Sequence, residues 1–371
     1  MTHYDIVVAG AGMSGASLAA ELAPHASVLI LEAEVQPGYH ATGRSAAFWH
    51  ETYGGPGVQP LTSASGVWLR NPPAQYSDAS FTSPRGSVTI ASEADRPVLQ
   101  AFVDQFARSD VVLEWRDREA LEMRCDGLRA EWVVGLEEAS CSDIDVAALH
   151  QAYLRVARQS GAELRCNVSL LSARPSEQGW HIETSAGDVS AGLLVNAAGA
   201  WVDEVATRAG VAGIGITPFR RTMVQIKVDR DVPRDMPLIV DVHGGFYFKS
   251  DGAGGLWLSP HDEIPSPPTD AAPEELDVAI AIDRFERAVN WRIVQVTHKW
   301  AGLRSFSPDR LPVYGFDKHQ PSFFWFAGQG GFGIQTAPAA AMIGASLVLG
   351  KTADPLVSGI DVRRYAPERF T

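Results

Sequence analysis

Apolar residues keep two rhythms along this chain, and the change from one to the other divides it. Near the start, Ile6-Val7-Val8 is a short unbroken apolar run, as a buried parallel strand requires. Ala16 to Leu22 follow with helical, alanine-rich composition, and Val28 to Leu31 form a second run. Further runs at Leu193–Val195 and Phe323–Ala327 read as buried strands of the same kind, each leading into small residues and then a helix. From Ile144 to Ser160, Leu149, Tyr153, Val156 and Ala157 recur at helical spacing. Asp143 or Asp145 can cap that helix and Gly161 can end it. Helices are also predicted over 95–106, 117–123, 201–209 and 276–289.

Ser87–Ile90 reads as a short strand by itself, and the other rhythm is that of strands with no helix between them: Thr217–Val228, Leu238–Val242, Gly245–Lys249 and Leu256–Ser259. These four predict an antiparallel sheet and a second domain. Glu163–Leu171 and Trp180–Thr184 predict a smaller sheet, Gly135–Ser142 carries little pattern, and His261–Pro273 reads as a solvated linker. Within Thr217–Val228, Arg220 and Arg221 must point to opposite faces, because strand side chains alternate. Tyr247, between Phe246 and Phe248, is expected inward or at the sheet edge.

Chemistry enters between the first two strands, at Gly10-Ala11-Gly12-Met13-Ser14-Gly15. Gly10 permits the tight turn, Gly12 lets backbone approach a pyrophosphate, and Gly15 lets the helix pack on the strand. The helix N-terminus offers free N–H groups. Glu32 ends the second strand, about 20 residues past the first glycine, where an acid can accept hydrogen bonds from a ribose. An acid there argues against NADP, but the motif does not separate FAD from NAD.

Two later stretches favour a flavin. Ala41-Thr42-Gly43-Arg44-Ser45-Ala46-Ala47 is rich in small residues, and Arg44 and Ser45 can bond phosphate oxygens. Gly328-Gln329-Gly330-Gly331-Phe332-Gly333-Ile334-Gln335-Thr336 is a second glycine-rich turn opening a helix. Its N-terminus can stabilise negative charge on a two-electron-reduced flavin. Phe48, Trp49, His50 and Tyr53 are either core aromatics or the wall of a pocket beside the cofactor. His50 is open between a structural and a functional role.

Composition excludes some functions. A formal net charge of −13 over 371 residues disfavours nucleic acid or an anionic membrane surface as the main partner. Three cysteines, Cys125, Cys141 and Cys166, are too widely spaced for a zinc site or a disulfide framework, which leaves no metal expected. No basic leader precedes Tyr4, and no apolar run reaches the ~20 residues of a membrane span. The expected setting is cytoplasmic or membrane-peripheral, as a monomer or dimer.

VAGAGMSGAS, PGYHATGRSAA, VNAAGAWVDEVA, WAGLRSFSPD and GQGGFGIQTAPA together make the chain resemble the FAD-dependent D-amino-acid oxidase superfamily over nearly its whole length. Within it, the likeness is greatest to bacterial D-arginine dehydrogenase. The resemblance implies an α/β fold: a Rossmann-like, glutathione-reductase-type FAD-binding domain (1–80, 145–215 and 300–371) and an α+β substrate domain on an antiparallel sheet (81–144 and 216–299). By position, Gly10, Gly12, Ser14 and Gly15 would hold the FAD pyrophosphate, and Glu32 and Ala33 the adenosine. Arg44, Ser45, Ala46, Val168, Ala198, Gly199 and Gly302 would lie along the cofactor. Gly331, Gly333, Ile334, Gln335 and Thr336 would meet its ring. Arg221 and Arg304 would bind a substrate carboxylate, with Tyr53 and Tyr247 closing over it and Phe48, His50, Ser87 and Gln335 around the side chain. No cysteine precedes Ser307-Pro308-Asp309 closely, so FAD would be non-covalent.

The resemblance implies oxidative deamination of D-amino acids, with oxygen or a quinone-type carrier as electron acceptor. D-arginine dehydrogenase has glutamate where this chain has Ser87, histidine where it has Phe48 and threonine where it has His50. Loss of that acid predicts poor use of cationic substrates and a preference for neutral or hydrophobic side chains. Oxidation of secondary amines (sarcosine, proline or opine type) or of 2-hydroxy acids, or a non-catalytic subunit of an electron-transfer complex, are the alternatives.

Overall fold

The computed structural model describes residues 1–370 and builds them on two large sheets. The first has eight strands around Thr2–Ala9, which pairs in parallel with Val28–Leu31 on one side and Val189–Asn196 on the other. Phe323–Ala327 adds a parallel strand beyond Val189–Asn196, and Glu163–Arg165 one beyond Val28–Leu31. The central runs, Val28–Leu31 and Phe323–Ala327 among them, are apolar on both faces because both faces are covered. Helices Met13–Leu22, Val146–Gln159 and Ala337–Leu349 pack on one face, with Tyr153, Phe324 and Phe326 buried there. Trp180, Phe323 and Trp325 fill the other. Asp145, not Asp143, caps its helix by accepting from the Ala148 amide at 2.9 Å.

The second sheet has nine strands and is mostly antiparallel. Thr217–Val228 and Ile293–Phe306 form its longest pair, and Leu256–Ser259, Tyr247–Ser250, Leu238–Asp241, Ser87–Ala91 and Val134–Glu138 follow in order. Helix Glu275–Ala288 buries Val278, Ala281 and Phe285 against it. A third, three-stranded sheet joins Phe48–Trp49, Ser142–Ile144 and Thr82–Pro84 between the two.

Three stretches differ from expectation for physical reasons. Gly135–Ser142, which looked patternless, lies across strand Val134–Glu138 and the start of strand Ser142–Ile144. All five residues of Val134–Glu138 are buried, two of them acids, so neither alternation nor an apolar run marks it. Ile293–Phe306 is one 14-residue strand. Its first half is exposed and its second half largely buried, so no single rhythm spans it, and the expected boundary at 299/300 falls inside it. The 261–273 stretch is mostly exposed as a linker would be, but Asp262 turns inward, and its carboxylate accepts from the Thr222 amide at 2.8 Å.

Cys125, Cys141 and Cys166 are all free thiols. Among the described residues no helix is long and apolar enough to cross a membrane.

Candidate active site

A cavity of about 430 Å³ runs from the carboxyl ends of the first sheet to the face of the second. At one end the glycine turn is a cradle that side chains would fill. Gly10 has φ +103°, and a Cβ there would meet the Ala197 carbonyl at 2.6 Å. A Cβ on Gly15 would overlap the Gly10 carbonyl oxygen, which is why strand and helix can approach so closely. Gly12 is the N-cap of Met13–Leu22 and offers no side chain to the helix terminus. Gly10, Gly12 and Ser14 line the cavity, while Gly15 packs beneath them. Thr42, not singled out in the sequence, accepts from the Met13 amide at 2.9 Å and ties the ATGRS loop to this helix.

Glu32, Ala33 and Val168 line the same end, and Ala198 and Gly199 the middle. The Glu32 carboxylate accepts from the amides of Ala11 (2.9 Å) and Glu34 (3.0 Å), so it braces the glycine turn as well as facing the cavity. Val168 takes its place through its amide, which donates to the Glu32 carbonyl at 2.9 Å. Ser45 and Ala46 also line the cavity. Arg44 lines it too, but its guanidinium is not free for a phosphate. It donates to the Ala271 carbonyl at 2.8 Å and the Ala301 carbonyl at 3.1 Å, and pairs with Asp270. Arg44 therefore pins the 270 loop to the second sheet.

The second glycine turn closes the far end. The Gly330 amide donates to the Ser305 carbonyl at 2.8 Å, which fastens the turn to Ile293–Phe306. Gly331, Gly333 and Ile334 line the cavity, and a Cβ on Gly331 would overlap the Tyr53 hydroxyl. Gly302 lines it where a Cβ would press on Arg44 at 3.3 Å. Gln335 and Thr336 do not line it. The buried Gln335 amide donates to the carbonyls of His50 and Tyr53 (both 3.2 Å) and to Thr62 Oγ1 (2.9 Å), so it clasps the aromatic segment instead of meeting a ligand. Thr336 Oγ1 donates to the Phe332 carbonyl. The cradle suits an extended dinucleotide: bare backbone at both turns, an acid at one end and small residues between.

Beside the second turn stand Arg221 and Arg304. Register places Arg221 opposite Gly302, and Phe219 opposite Arg304, so both arginines share the face turned to the cavity. Arg220 points the other way and pairs with Glu274 and Asp277 of the covering helix. Arg221 is 3% exposed. Its Nε donates to the Asp262 carbonyl at 2.6 Å, its Nη2 lies 3.2 Å from Glu263, and its Nη1 is buried with no partner. Burial and the neighbouring Arg304 hold its guanidinium below the ordinary value. Arg304 donates to the Tyr53 hydroxyl. Two repelling cations, Arg221 buried with an orphan N–H and Arg304 half-buried beside it, form a receptor for an anion.

Tyr53 packs edge-on to Phe48 (5.6 Å between centroids), and Phe48 to Tyr247 (5.9 Å). The Tyr247 hydroxyl donates to Met223 Sδ, and Met223 lines the cavity. His261, at φ +55°, faces Tyr247 at 5.6 Å. Burial, Arg221 and Arg304 push its imidazole down to about 3. Trp49 is core: its indole N–H donates to the Thr62 carbonyl at 2.9 Å, on the side away from Phe48.

His50 and Ser87 meet behind Phe48, 2.9 Å apart, but with them stands an acid the sequence did not reveal. Glu138 lies directly opposite Ser87 in the sheet and is 1% exposed. It accepts from the amides of Glu51 (2.7 Å) and Thr52 (3.4 Å) and from Thr52 Oγ1 (2.8 Å), and lies 3.1 Å from His50 Nε2. The acid absent at Ser87 is thus present one strand over. No spacing rule could find it, because its place depends on the pairing of residues 87 and 138.

Residues 5–347 match the model of a family described as FAD dependent oxidoreductase (DAO). Among curated proteins, the chain is 25% identical to hydrogen cyanide synthase subunit HcnC of Pseudomonas aeruginosa, covering 98% of this chain and 97% of that one. It is 26% identical to mitochondrial dimethylglycine dehydrogenase of Mus musculus over 89% of this chain, but spans only 40% of that protein's length. Among solved structures, L-proline dehydrogenase from P. horikoshii superposes with TM-score 0.86 at 21% identity, covering 100% and 98% of the two chains. Glycine oxidase from Geobacillus kaustophilus gives 0.85 at 18% identity, covering 99% and 98%. At these identities the structures attest the fold.

Proposed function

Because the chain belongs to the DAO family of FAD-dependent oxidoreductases, we propose that it oxidises the Cα–N bond of a free amino acid, a D-amino acid with a neutral side chain. The products are an imino acid and, after hydrolysis by water, a 2-oxo acid and ammonia. The observation that carries this reading is the pair of Arg221, buried, and Arg304, half-buried, on one face, with Arg221 Nη1 unpartnered. A carboxylate matches a guanidinium fork and relieves the repulsion between the two cations.

FAD, when bound, supplies the acceptor of two electrons and the Cα hydrogen. The chain's own residues supply position. Arg304 and Arg221 fix the carboxylate, and Tyr53, held on Arg304, covers it and excludes water. The substrate amine must be neutral when Cα–H leaves. His261, kept uncharged by burial and by its two arginine neighbours, adds no positive charge beside the carboxylate site.

Ser87 and Phe48 replace the polar pair expected for a guanidinium substrate. Glu138 does not restore a free acid, since its oxygens are taken by two amides, Thr52 and His50. Cationic substrates should therefore be poor.

The names of two similar proteins, the dimethylglycine and L-proline dehydrogenases, favour a second reading, a secondary amine. Anaerobic mixing of the holoenzyme with D- and L-amino acids and with sarcosine and proline, followed at the flavin absorbance, separates them. Bleaching by neutral D-amino acids with release of ammonia supports the proposal. Bleaching by secondary amines alone transfers it to the second reading, and D-arginine outperforming D-leucine in kcat/KM overturns the side-chain assignment.

A further inference from the structure

Resting on the carboxylate site proposed above, we infer that Glu263 tunes that site through Arg221, weakening its hold on anions and limiting it to one negative charge. Glu263 is thus a specificity-determining residue that acts without touching the substrate.

Register puts it there. Phe219 and Arg220 pair with Pro265 and Ile264, so the next step along this antiparallel pair sets Glu263 beside Arg221. Asp262 fixes the other flank, where its carboxylate accepts from the Thr222 amide (2.8 Å) and hydroxyl (2.9 Å). Glu263 itself is exposed, whereas Arg221 is buried and lines the cavity. Arg221 Nη2 donates to Glu263 Oε1 at 3.2 Å, and that contact carries a surface charge to the cavity wall. On the outer side, Arg310 Nη2 donates to both Glu263 oxygens at 2.9 Å, and its guanidinium lies 3.9 Å from the centre of the Phe306 ring. Glu263 therefore divides its charge between a buried arginine and an exposed one.

Donors and charge together set what the site accepts. The Asp262 carbonyl takes Arg221 Nε and Glu263 takes Nη2, so Nη1 is the nitrogen left for a ligand. Arg304, which shares Nη1 with Tyr53, supplies the rest. Three guanidinium groups, Arg221, Arg304 and Arg310, stand with two carboxylates, Asp262 and Glu263, while His261 stays uncharged. One positive charge remains. A single carboxylate balances it, and a second would be in excess. Without Glu263 the site would hold anions more tightly, but a 2-oxo acid product carries the same carboxylate as the substrate and would leave more slowly. The acid thus favours turnover over affinity.

The test is calorimetric titration of the oxidised holoenzyme with propionate and with malonate, which carry one and two carboxylates and no amine to oxidise. Glu263→Gln keeps an acceptor oxygen and removes the charge. It should tighten propionate about fivefold, and malonate by a larger factor. Arg310→Gln leaves the charge of Glu263 undivided on Arg221 and should weaken propionate about twofold. The double variant should match Glu263→Gln alone, because Arg310 acts through Glu263. With the accepted amino acid, Glu263→Gln should lower KM without raising kcat. If Glu263 only props Arg221 in place, Glu263→Gln weakens both anions instead; that result, or unchanged constants, overturns the inference. Flavin content and melting temperature accompany each variant, and the exposed Arg310→Gln carries the opposite-signed prediction by itself if Glu263→Gln does not load FAD. Failure of the wild type and every flavin-loaded variant to bind either anion overturns the carboxylate site itself.

Discussion

The two ends of the cavity are built to hold different things by different means. At the cofactor end the chain presents backbone. Gly10, Gly12 and the start of Met13–Leu22 supply it, Glu32 braces the turn, and Arg44, which lines the cavity, is spent on Asp270 and two carbonyls. At the other end it presents side chains: Arg221 and Arg304 line it, with Tyr53 held on Arg304 and Tyr247 packed behind Phe48, drawn from separate strands and loops. A cofactor that never leaves can be gripped by many weak, sequence-local donors. A substrate that must enter, react and leave is gripped by a few strong charges, whose desolvation is offset only when it arrives.

That contrast can be broken most severely at Gly15. A Cβ there overlaps the Gly10 carbonyl, so Gly15→Ala must part strand from helix. The expected result is a protein that purifies without flavin and is less stable by about 3 kcal/mol, as overpacking costs. Full flavin occupancy with an unchanged melting temperature would remove the cradle from the account.

Neighbouring arginines sharpen the contrast next. Arg221→Leu should lower kcat/KM about 10³-fold, the scale of a lost charge-assisted contact of roughly 4 kcal/mol, while retaining flavin. Arg220→Leu should leave kcat/KM near wild type but cost about 3 kcal/mol of stability, because it strands the buried Asp277. Equal activity losses in the two variants would contradict the division of labour between the faces of one strand.

The smallest effect concerns His261, whose imidazole titrates at about 3 in the folded chain against 6.5 when free. Below pH 6.5 the unfolded chain takes up a proton that the folded chain refuses until about pH 3. Stability from this group is therefore complete above 6.5 and falls as the pH drops towards 3, by about 3 kcal/mol at pH 4. His261→Asn, tolerated at φ +55°, should flatten that part of the acid-unfolding profile. An identical profile in the variant would show the histidine to be a spectator.

Legibility in the sequence followed the same division. The cofactor end is a matter of local backbone, so GAGMSG, its flanking strands and Glu32 could be read in order, and the α/β architecture with them. The Arg220/Arg221 alternation was legible too, since it needs only the period of a strand. What could not be read were contacts set by register or by burial that erases pattern. Glu138 sits in a strand with no alternation, opposite a residue 51 positions earlier. Gln335 lies in a glycine turn that suggests a ligand, yet its side chain is turned back to hold His50 and Tyr53. Ile293–Phe306 changes from exposed to largely buried midway, so its continuity shows only through its pairing with Thr217–Val228.

That strand also acts as a gauge. Gly302 and Arg304 both line the cavity, two residues apart on one extended backbone, a spacing of about 7 Å that no loop can stretch. On the reading proposed above, the reacting carbon of a substrate is thereby placed from its carboxylate inward, at a distance set by covalent geometry. Differences in substrate length cannot be taken up there. They accumulate at the opposite tip, on the side where Phe48 packs between Tyr53 and Tyr247, and new specificities should arise there while the gauge is left untouched.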